Sequence, residues 1–194
     1  VWVCAPSVWA QNNQYGTLAY HDVVDEAGAI YQQVKTDPVS HKSEILRAYY
    51  PQTITKKTLI RHFNWLRANG YNMISWQDVL DSQTGKKKLP DKAVLLTFDD
   101  GYESFYRIVY PLLKEYRYPA VFAVVTSLIE KPQGEMVPFG ETKIARGAFV
   151  TWAQITEMKQ SGLVEIASHT HNFHRAIKAN PGGSAYPAVF SAQY

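Results

Sequence analysis

The stretch Ala93-Val94-Leu95-Leu96-Thr97-Phe98-Asp99-Asp100-Gly101-Tyr102 predicts a buried strand that ends in two adjacent carboxylates. A short apolar run bounded by a turn signal is typical of a strand that is covered on both faces. Like charges this close raise each other's pKa, so paired acids suit a place where a cation neutralises one and leaves the other as a base. Asp before Gly is also common in turns, and a turn is the alternative interpretation.

Strands and helices alternate along the rest of the chain. The predicted strands are 17–20, 72–75, 93–98, 120–125 and 164–167, and the predicted helices are 56–69, 105–116 and 151–161, with a helical turn at 76–80. Pro111 is expected to kink the second helix. Residues 25–51 and 130–147 are predicted as loops. This order implies an α/β fold with a mainly parallel sheet, either open or closed into a barrel.

Polar residues follow three of these strands. They are His21-Asp22 after the first strand, Asp99-Asp100 after the central one, and the segment 168–174 after the last one. Parallel sheets carry functional residues at the carboxyl ends of their strands, so the three segments should open on one face. Imidazole and carboxylate together suit Zn, Fe, Co or Ni, which predicts a hydrolytic metal site. A turn at the strand end is the alternative for His21-Asp22.

The spacing of the three histidines in segment 168–174 leaves the choice of ligands open. His171 and His174 lie three apart, as on one helix face, whereas His169 and His174 lie five apart and need a turn between them. A polar loop with hydrogen-bonded histidines is the alternative without a metal. Tyr102 and Trp152 could supply surfaces for sugar stacking, although core packing is the simpler interpretation of any single aromatic residue.

Length and composition indicate one globular domain. The chain has 194 residues, of which 46% are hydrophobic and 19% are charged. A net charge of +3 gives no reason to expect a nucleic-acid partner. No run approaches the roughly 18 apolar residues of a membrane span. The single cysteine, Cys4, has no partner in the sequence for a disulfide.

The first residues predict export. Residues 1–10, VWVCAPSVWA, are apolar and end in Val8-Trp9-Ala10, with small residues at the third and last positions before a polar stretch. This resembles the tail of a secretory signal peptide that is cleaved after Ala10. We therefore expect residues 1–14 to be a signal-peptide remnant or a flexible N-terminal segment. The expected location is the periplasm, the outer membrane or the cell surface. An ordinary apolar segment is the alternative.

The order of these motifs resembles the polysaccharide deacetylases of the NodB-homology family, which are metal-dependent carbohydrate esterases on a distorted (β/α) barrel. Thr97-Phe98-Asp99-Asp100-Gly101 matches the family's first motif, and 151–155 with 162–170 is similar to its approach to the second motif. Tyr20-His21-Asp22-Val23 and the phrase at 167–175 are similar to the PgaB and IcaB subgroup. That subgroup partially deacetylates poly-β-1,6-N-acetyl-D-glucosamine during biofilm export. The resemblance covers about residues 17–175.

The resemblance implies roles for individual residues. Asp100, His169 and His174 would bind one divalent transition metal ion, either Zn, Ni, Co or Fe, and Asp99 would act as the general base. The implied substrate is an N-acetylated glucosamine polymer, and export-machinery proteins of the cell envelope are implied as partners. The residues expected in substrate binding or around the ligands are His21, Asp22, Tyr102 and His171.

One departure from the family pattern concerns the end of the chain. The family's later motifs contribute an arginine that orients the base and a histidine that acts as general acid, yet neither residue type occurs after Arg175. We therefore expect residues 15–194 to be a deacetylase domain whose C-terminal part lies in a further segment or chain. The alternatives are a chitin or peptidoglycan deacetylase and a non-catalytic glycan-binding module. Asp99 favours an enzyme, because binding alone does not need a carboxylate beside a metal.

Overall fold

The computed structural model describes residues 14–27, 52–139, 142–173, 176–178, 182 and 185–187. Residues 1–13 of the expected N-terminal segment and most of the predicted loop at 25–51 lie outside this part of the chain. None of the helices within it is long and apolar enough to cross a membrane. In chain order the elements are β1 (Tyr15–Tyr20), β2 (Val23–Val24), β3 (Ile54–Thr55), α1 (Lys56–Ala68), β4 (Asn72–Ile74), α2 (Trp76–Gln83), β5 (Ala93–Phe98), a π-helical segment (Phe105–Val109), α3 (Tyr110–Tyr116), β6 (Ala120–Val124), α4 (Thr126–Ile129), β7 (Met136–Phe139), β8 (Thr142–Ala145), a 3-10 helix (Arg146–Ala148), α5 (Trp152–Gln160), β9 (Val164–Ser168), β10 (Ala176–Lys178) and β11 (Ala185–Pro187).

A parallel sheet organises the described part of the fold. β5 pairs along its whole length with β1 on one edge. On its other edge it pairs with β4 through residues 93–95 and with β6 through residues 97–98, and β6 in turn pairs with β9. Every one of these pairs is parallel. The predicted α/β fold with a mainly parallel sheet is therefore confirmed.

The helices that flank the sheet begin at capping residues. Thr55 caps α1 through its hydroxyl group and directly precedes residue 56, where this helix was predicted to begin. Ser75 and Asp78 form a reciprocal capping box at α2, and Thr151 and Gln154 form another at α5. With this cap α2 extends for 8 residues, so it is a full helix rather than the predicted turn at 76–80.

An aromatic stack in the core anchors the chain that follows β5. The rings of Phe105 and Phe122 lie face to face with their centroids 4.0 Å apart. Phe98 packs edge-on against Phe105 at 5.0 Å, and all three rings are almost completely buried. Buried aromatic rings contribute large apolar areas and add a specific pairing geometry. The loop between Phe98 and Phe105 is therefore held firmly at both ends.

The helix after this loop has an irregular stretch directly before Pro111. Residues 105–109 form the π-helical segment, in which the Tyr110 N–H donates to the Phe105 carbonyl oxygen. Val109 and Tyr110 keep helical backbone angles, so the helical stretch continues through Pro111 into α3. Proline has no N–H to donate to the preceding turn, which agrees with an irregular hydrogen-bond ladder at this place. A kink of the helix axis at Pro111 stays a prediction.

The prediction of a loop at 130–147 is wrong, because this segment contains an antiparallel hairpin. β7 and β8 pair with each other, and the 3-10 helix follows them. Val137, Phe139 and Ile144 point inwards and are buried, which is the period of two expected for a half-covered strand. Pro138 is exposed in β7, as is usual for proline in a two-stranded edge.

Arg146 ties the end of this hairpin to the chain around it. Its buried guanidinium group donates five hydrogen bonds to the backbone carbonyl oxygens of Ile129, Lys131, Phe149 and Val150, at 2.7 to 3.1 Å. Burial lowers the pKa of this guanidinium group. The guanidinium N–H groups of Arg146 supply hydrogen-bond donors to these carbonyl oxygens. A buried carbonyl group without a donor would cost free energy.

We expect Arg146→Met to lower the free energy of unfolding by at least about 3 kcal/mol, since it removes several charged hydrogen bonds at once. Urea unfolding followed by circular dichroism measures this change. Arg107→Met is the matched control, because the Arg107 side chain is 61% exposed and pairs with Glu103 at the surface. The control should change the free energy by less than about 1 kcal/mol. Equal effects of the two substitutions would contradict the structural role of Arg146.

Candidate active site

The carboxyl ends of the parallel strands bring the predicted polar segments to one edge of the sheet. The Asp99 N–H donates to the carbonyl oxygen of Tyr20, the last residue of β1, at 2.9 Å. The His169 N–H donates to the carbonyl oxygen of Val124, the last residue of β6, also at 2.9 Å. The segments after β1, β5 and β9 therefore open on the same face, which confirms the expectation from the sequence.

Asp100 and His169 are brought into contact at this edge. Asp100 Oδ1 lies 3.4 Å from His169 Nε2. The Asp100 side chain is completely buried, whereas that of His169 is 37% exposed. A carboxylate and an imidazole from distant parts of the sequence therefore converge at a point that solvent can reach.

The contact between Asp100 and His169 fits a shared metal ion. Two ligands that are each about 2.1 Å from an ion, at a tetrahedral angle, are about 3.4 Å apart. An oxygen and a nitrogen donor together suit Zn, Co, Ni or Fe. His174, the third predicted ligand, lies outside the described residues. Within the described ranges, no group of three or more His, Cys, Asp or Glu side chains gathers as a metal site.

The backbone at the end of β5 adopts an unusual conformation that buries Asp100. Asp100 and Gly101 both have positive φ angles, of 74° and 84°. Such a conformation costs glycine little but is unfavourable for aspartate. A Cβ atom on Gly101 would lie 3.4 Å from the Val124 Cβ, and the Gly101 carbonyl oxygen accepts from the Val150 N–H at 3.0 Å. Strain that is held in place from both sides is typical of a functional site.

The two neighbouring aspartates differ in exposure. Asp99 is partly exposed, whereas Asp100 is fully buried in contact with His169. A buried carboxylate beside an imidazole suits a ligand, and a partly exposed carboxylate suits the transfer of a proton to or from a substrate. The arrangement is therefore compatible with separate roles for the two acids.

Ser104 links the segment after β1 to the segment after β5. Its Oγ donates to Asp22 Oδ1 at 2.6 Å and accepts from the Val23 N–H at 3.3 Å. Burial raises the pKa of Asp22, while the hydrogen bond from Ser104 and the charge of Arg107 act in the opposite direction. No local sequence pattern points to Ser104, because its contact with Asp22 joins positions that lie 82 apart in the chain.

Tyr102 does not offer its ring to a sugar, so the stacking interpretation is corrected for this residue. Its side chain is only 3% exposed, and its ring stacks on Phe149 with centroids 5.5 Å apart. Trp152, by contrast, is 49% exposed at the start of α5. Tyr102 belongs to a second hydrophobic cluster below the hairpin, formed by Tyr102, Val125, Leu128, Val137, Phe139, Ile144 and Phe149.

His21 and His171 lie at the same edge of the sheet as the acidic pair. His21 is half-buried and directly follows β1. His171 is exposed, and its Nδ1 lies 2.8 Å from the Thr126 hydroxyl oxygen. The Ser127 N–H donates to the His171 carbonyl oxygen at 3.0 Å, so this loop is fixed to the start of α4. A role for either histidine in substrate binding stays a prediction.

Comparison with known proteins identifies the family. The family model described as polysaccharide deacetylase matches residues 86–187, which is just over half of the chain. The chain belongs to the polysaccharide deacetylase family. This is in general a family of metal-dependent deacetylases on a (β/α) barrel, so the predicted fold class and the expected family are confirmed.

The chain is similar to several proteins that are named as deacetylases. A poly-β-1,6-N-acetyl-D-glucosamine N-deacetylase of Escherichia coli is 38% identical over 98% of this chain. A solved de-N-acetylase from Aggregatibacter actinomycetemcomitans is 50% identical over 93% of this chain, with a TM-score of 0.78. The BpsB deacetylase domain from Bordetella bronchiseptica is 50% identical over 70%, with a TM-score of 0.67. The chain spans 25% of the Escherichia coli protein and 63% and 52% of the two solved chains.

Proposed function

We propose that the chain is the catalytic part of a metal-dependent enzyme that removes acetyl groups from poly-β-1,6-N-acetyl-D-glucosamine. The observation that carries this proposal is the pair of Asp99 and Asp100 after β5, with His169 Nε2 3.4 Å from Asp100 Oδ1. The names of the relatives support the choice of polymer and of bond. The bond that breaks is the amide bond between the acetyl group and the sugar nitrogen.

The proposed chemistry divides the work among four side chains. Asp100 and His169, together with His174, are the residues that would hold one Zn, Ni, Co or Fe ion. When bound, such an ion lowers the pKa of water and polarises an amide carbonyl group. Asp99 accepts the proton of the water that attacks the acetyl carbon. The strained backbone at Asp100 is held by the anchored Gly101 next to it, and this keeps the two acids in place during this step.

The proposed substrate also suggests a location and partners. A polymer of the biofilm matrix is met outside the cytoplasm, so we place the protein in the periplasm, at the outer membrane or on the cell surface. Proteins that export the polymer are the expected partners. Residues 15–194 form the proposed deacetylase domain in this scheme.

Acetate release from β-1,6-linked N-acetylglucosamine oligomers tests the proposal. We expect release that a chelator stops and that added Zn²⁺, Co²⁺ or Ni²⁺ restores. β-1,4-linked oligomers and peptidoglycan fragments are the comparison substrates. If kcat/KM is higher for β-1,4-linked oligomers or for peptidoglycan fragments than for β-1,6-linked oligomers, the substrate is chitin or peptidoglycan instead. Binding of oligomers without any acetate release would make the chain a glycan-binding module instead.

A further inference from the structure

A cavity of about 540 Å³ adjoins the candidate active site. It is bounded by the residues after β6, by β7 and by the loop after β9. Val125 in its wall directly follows Val124, whose carbonyl oxygen accepts the hydrogen bond from the His169 N–H. The cavity therefore lies beside the edge of the sheet that carries Asp100 and His169. Its volume falls in the range of about 300–1,000 Å³ that is usual for small-ligand sites.

The walls of this cavity are held together by direct contacts. The Thr126 hydroxyl oxygen lies 2.8 Å from His171 Nδ1, and the Ser127 N–H donates to the His171 carbonyl oxygen at 3.0 Å. Leu128 is 4% exposed and belongs to the second hydrophobic cluster. These contacts join α4 both to the loop after β9 and to the hairpin. The cavity is thus formed before any ligand arrives.

The lining of the cavity combines apolar and polar groups without a net charge. Val125, Leu128 and Pro138 form its apolar lining, and Pro138 is the exposed member of the three. Glu130 and Lys131 are exposed residues that carry opposite charges. The polar remainder consists of Ser127, His171 and Asn172. A neutral sugar presents C–H groups on its ring faces and hydroxyl groups at its edge, and such a lining matches both kinds of surface.

We propose that this cavity is a subsite for an N-acetylated hexosamine unit that neighbours the reacting unit in the polymer. The inference rests on the proposed function, because it places the second sugar beside the site of amide hydrolysis. A unit that has lost its acetyl group carries an ammonium group, which the balanced charges of Glu130 and Lys131 do not favour. The subsite therefore selects acetylated stretches over stretches that are already deacetylated.

Calorimetric titration of the metal-loaded protein with β-1,6-linked oligomers tests the subsite. In the parent chain we expect Kd to fall by about tenfold or more from N-acetylglucosamine to its pentamer. In the double variant Glu130→Gln/Asn172→Ala, this gain should shrink by about 3- to 10-fold, the value of one lost hydrogen bond. Glu115→Gln on α3 is the matched control, since Glu115 is exposed and no residue of α3 lines the cavity. The control should keep the full gain.

The outcomes separate the subsite from the proposed function. An unchanged gain in the double variant would overturn the subsite, even if the parent chain releases acetate normally. If the parent chain releases no acetate but the double variant loses oligomer binding, the proposed function fails, and the cavity still binds a sugar unit of the oligomer. Equal affinity for acetylated and fully deacetylated pentamers would overturn the proposed selectivity. Ser127→Ala repeats the test on the same wall should the double variant fold poorly.

Discussion

The Asp99→Asn variant is expected to release acetate about 10²- to 10⁴-fold more slowly than the parent chain while keeping its metal. The substitution preserves the shape of the side chain but removes the carboxylate that accepts the proton from water, and general-base catalysis typically contributes this much. Asp99 is partly exposed, so the amide introduces no new buried group. Acetate release and metal content are measured on the same preparation.

Asp91→Asn is the matched control for this experiment. Asp91 is an exposed residue just before β5, so the same chemical change is made beside the same strand but at its opposite end. We expect the control to keep the parent activity. If the Asp99→Asn variant stays within about threefold of the parent rate, the assignment of Asp99 as the base is wrong. If it loses its metal instead, Asp99 is a ligand rather than the base.

The central strand and the acidic pair were predictable because their signals are local. β5 is a continuous apolar run that ends in Asp99, Asp100 and Gly101, and a parallel sheet places such an ending at its functional edge. The start of α1 was equally predictable, since Thr55 is an N-cap that precedes apolar residues at helical spacing, and α5 begins one residue after its predicted start at Thr151. Residues within one short window carry all of this information.

The hairpin and the contacts between loops were not predictable in the same way. β7 has only four residues, and Pro138 lies between its two buried residues, Val137 and Phe139. This segment is too short for its alternating pattern to be recognised as a strand. The burial of Tyr102 depends on the hairpin that covers it. The bond from Ser104 to Asp22 joins positions that become neighbours only after the sheet has formed. Local patterns therefore located the candidate site but not the surroundings that hold it.

Replacing Asp100 by Asn should weaken metal binding, whereas replacing Asp99 by Asn should leave the metal bound. We expect the Asp100→Asn variant to bind Zn²⁺ at least about a hundredfold more weakly, because it replaces an anionic ligand by a neutral amide. Its acetate release should fall with its metal content and recover in part at high Zn²⁺ concentration. Recovery by excess Zn²⁺ is not expected for Asp99→Asn, whose defect lies in proton transfer.

Thermal unfolding distinguishes loss of the metal from loss of the fold in these two variants. A ligand that binds only the folded state at a hundred times its Kd stabilises that state by about 2.7 kcal/mol. Added Zn²⁺ should therefore raise the Tm of the parent chain and of Asp99→Asn, but raise that of Asp100→Asn much less at the same concentration. Without metal, Asp100→Asn should be about as stable as the parent, because an amide of the same shape replaces a fully buried carboxylate. A full Zn²⁺-dependent rise in the Tm of Asp100→Asn would show that Asp100 is not a ligand, and the proposed site would then have to be built around other residues.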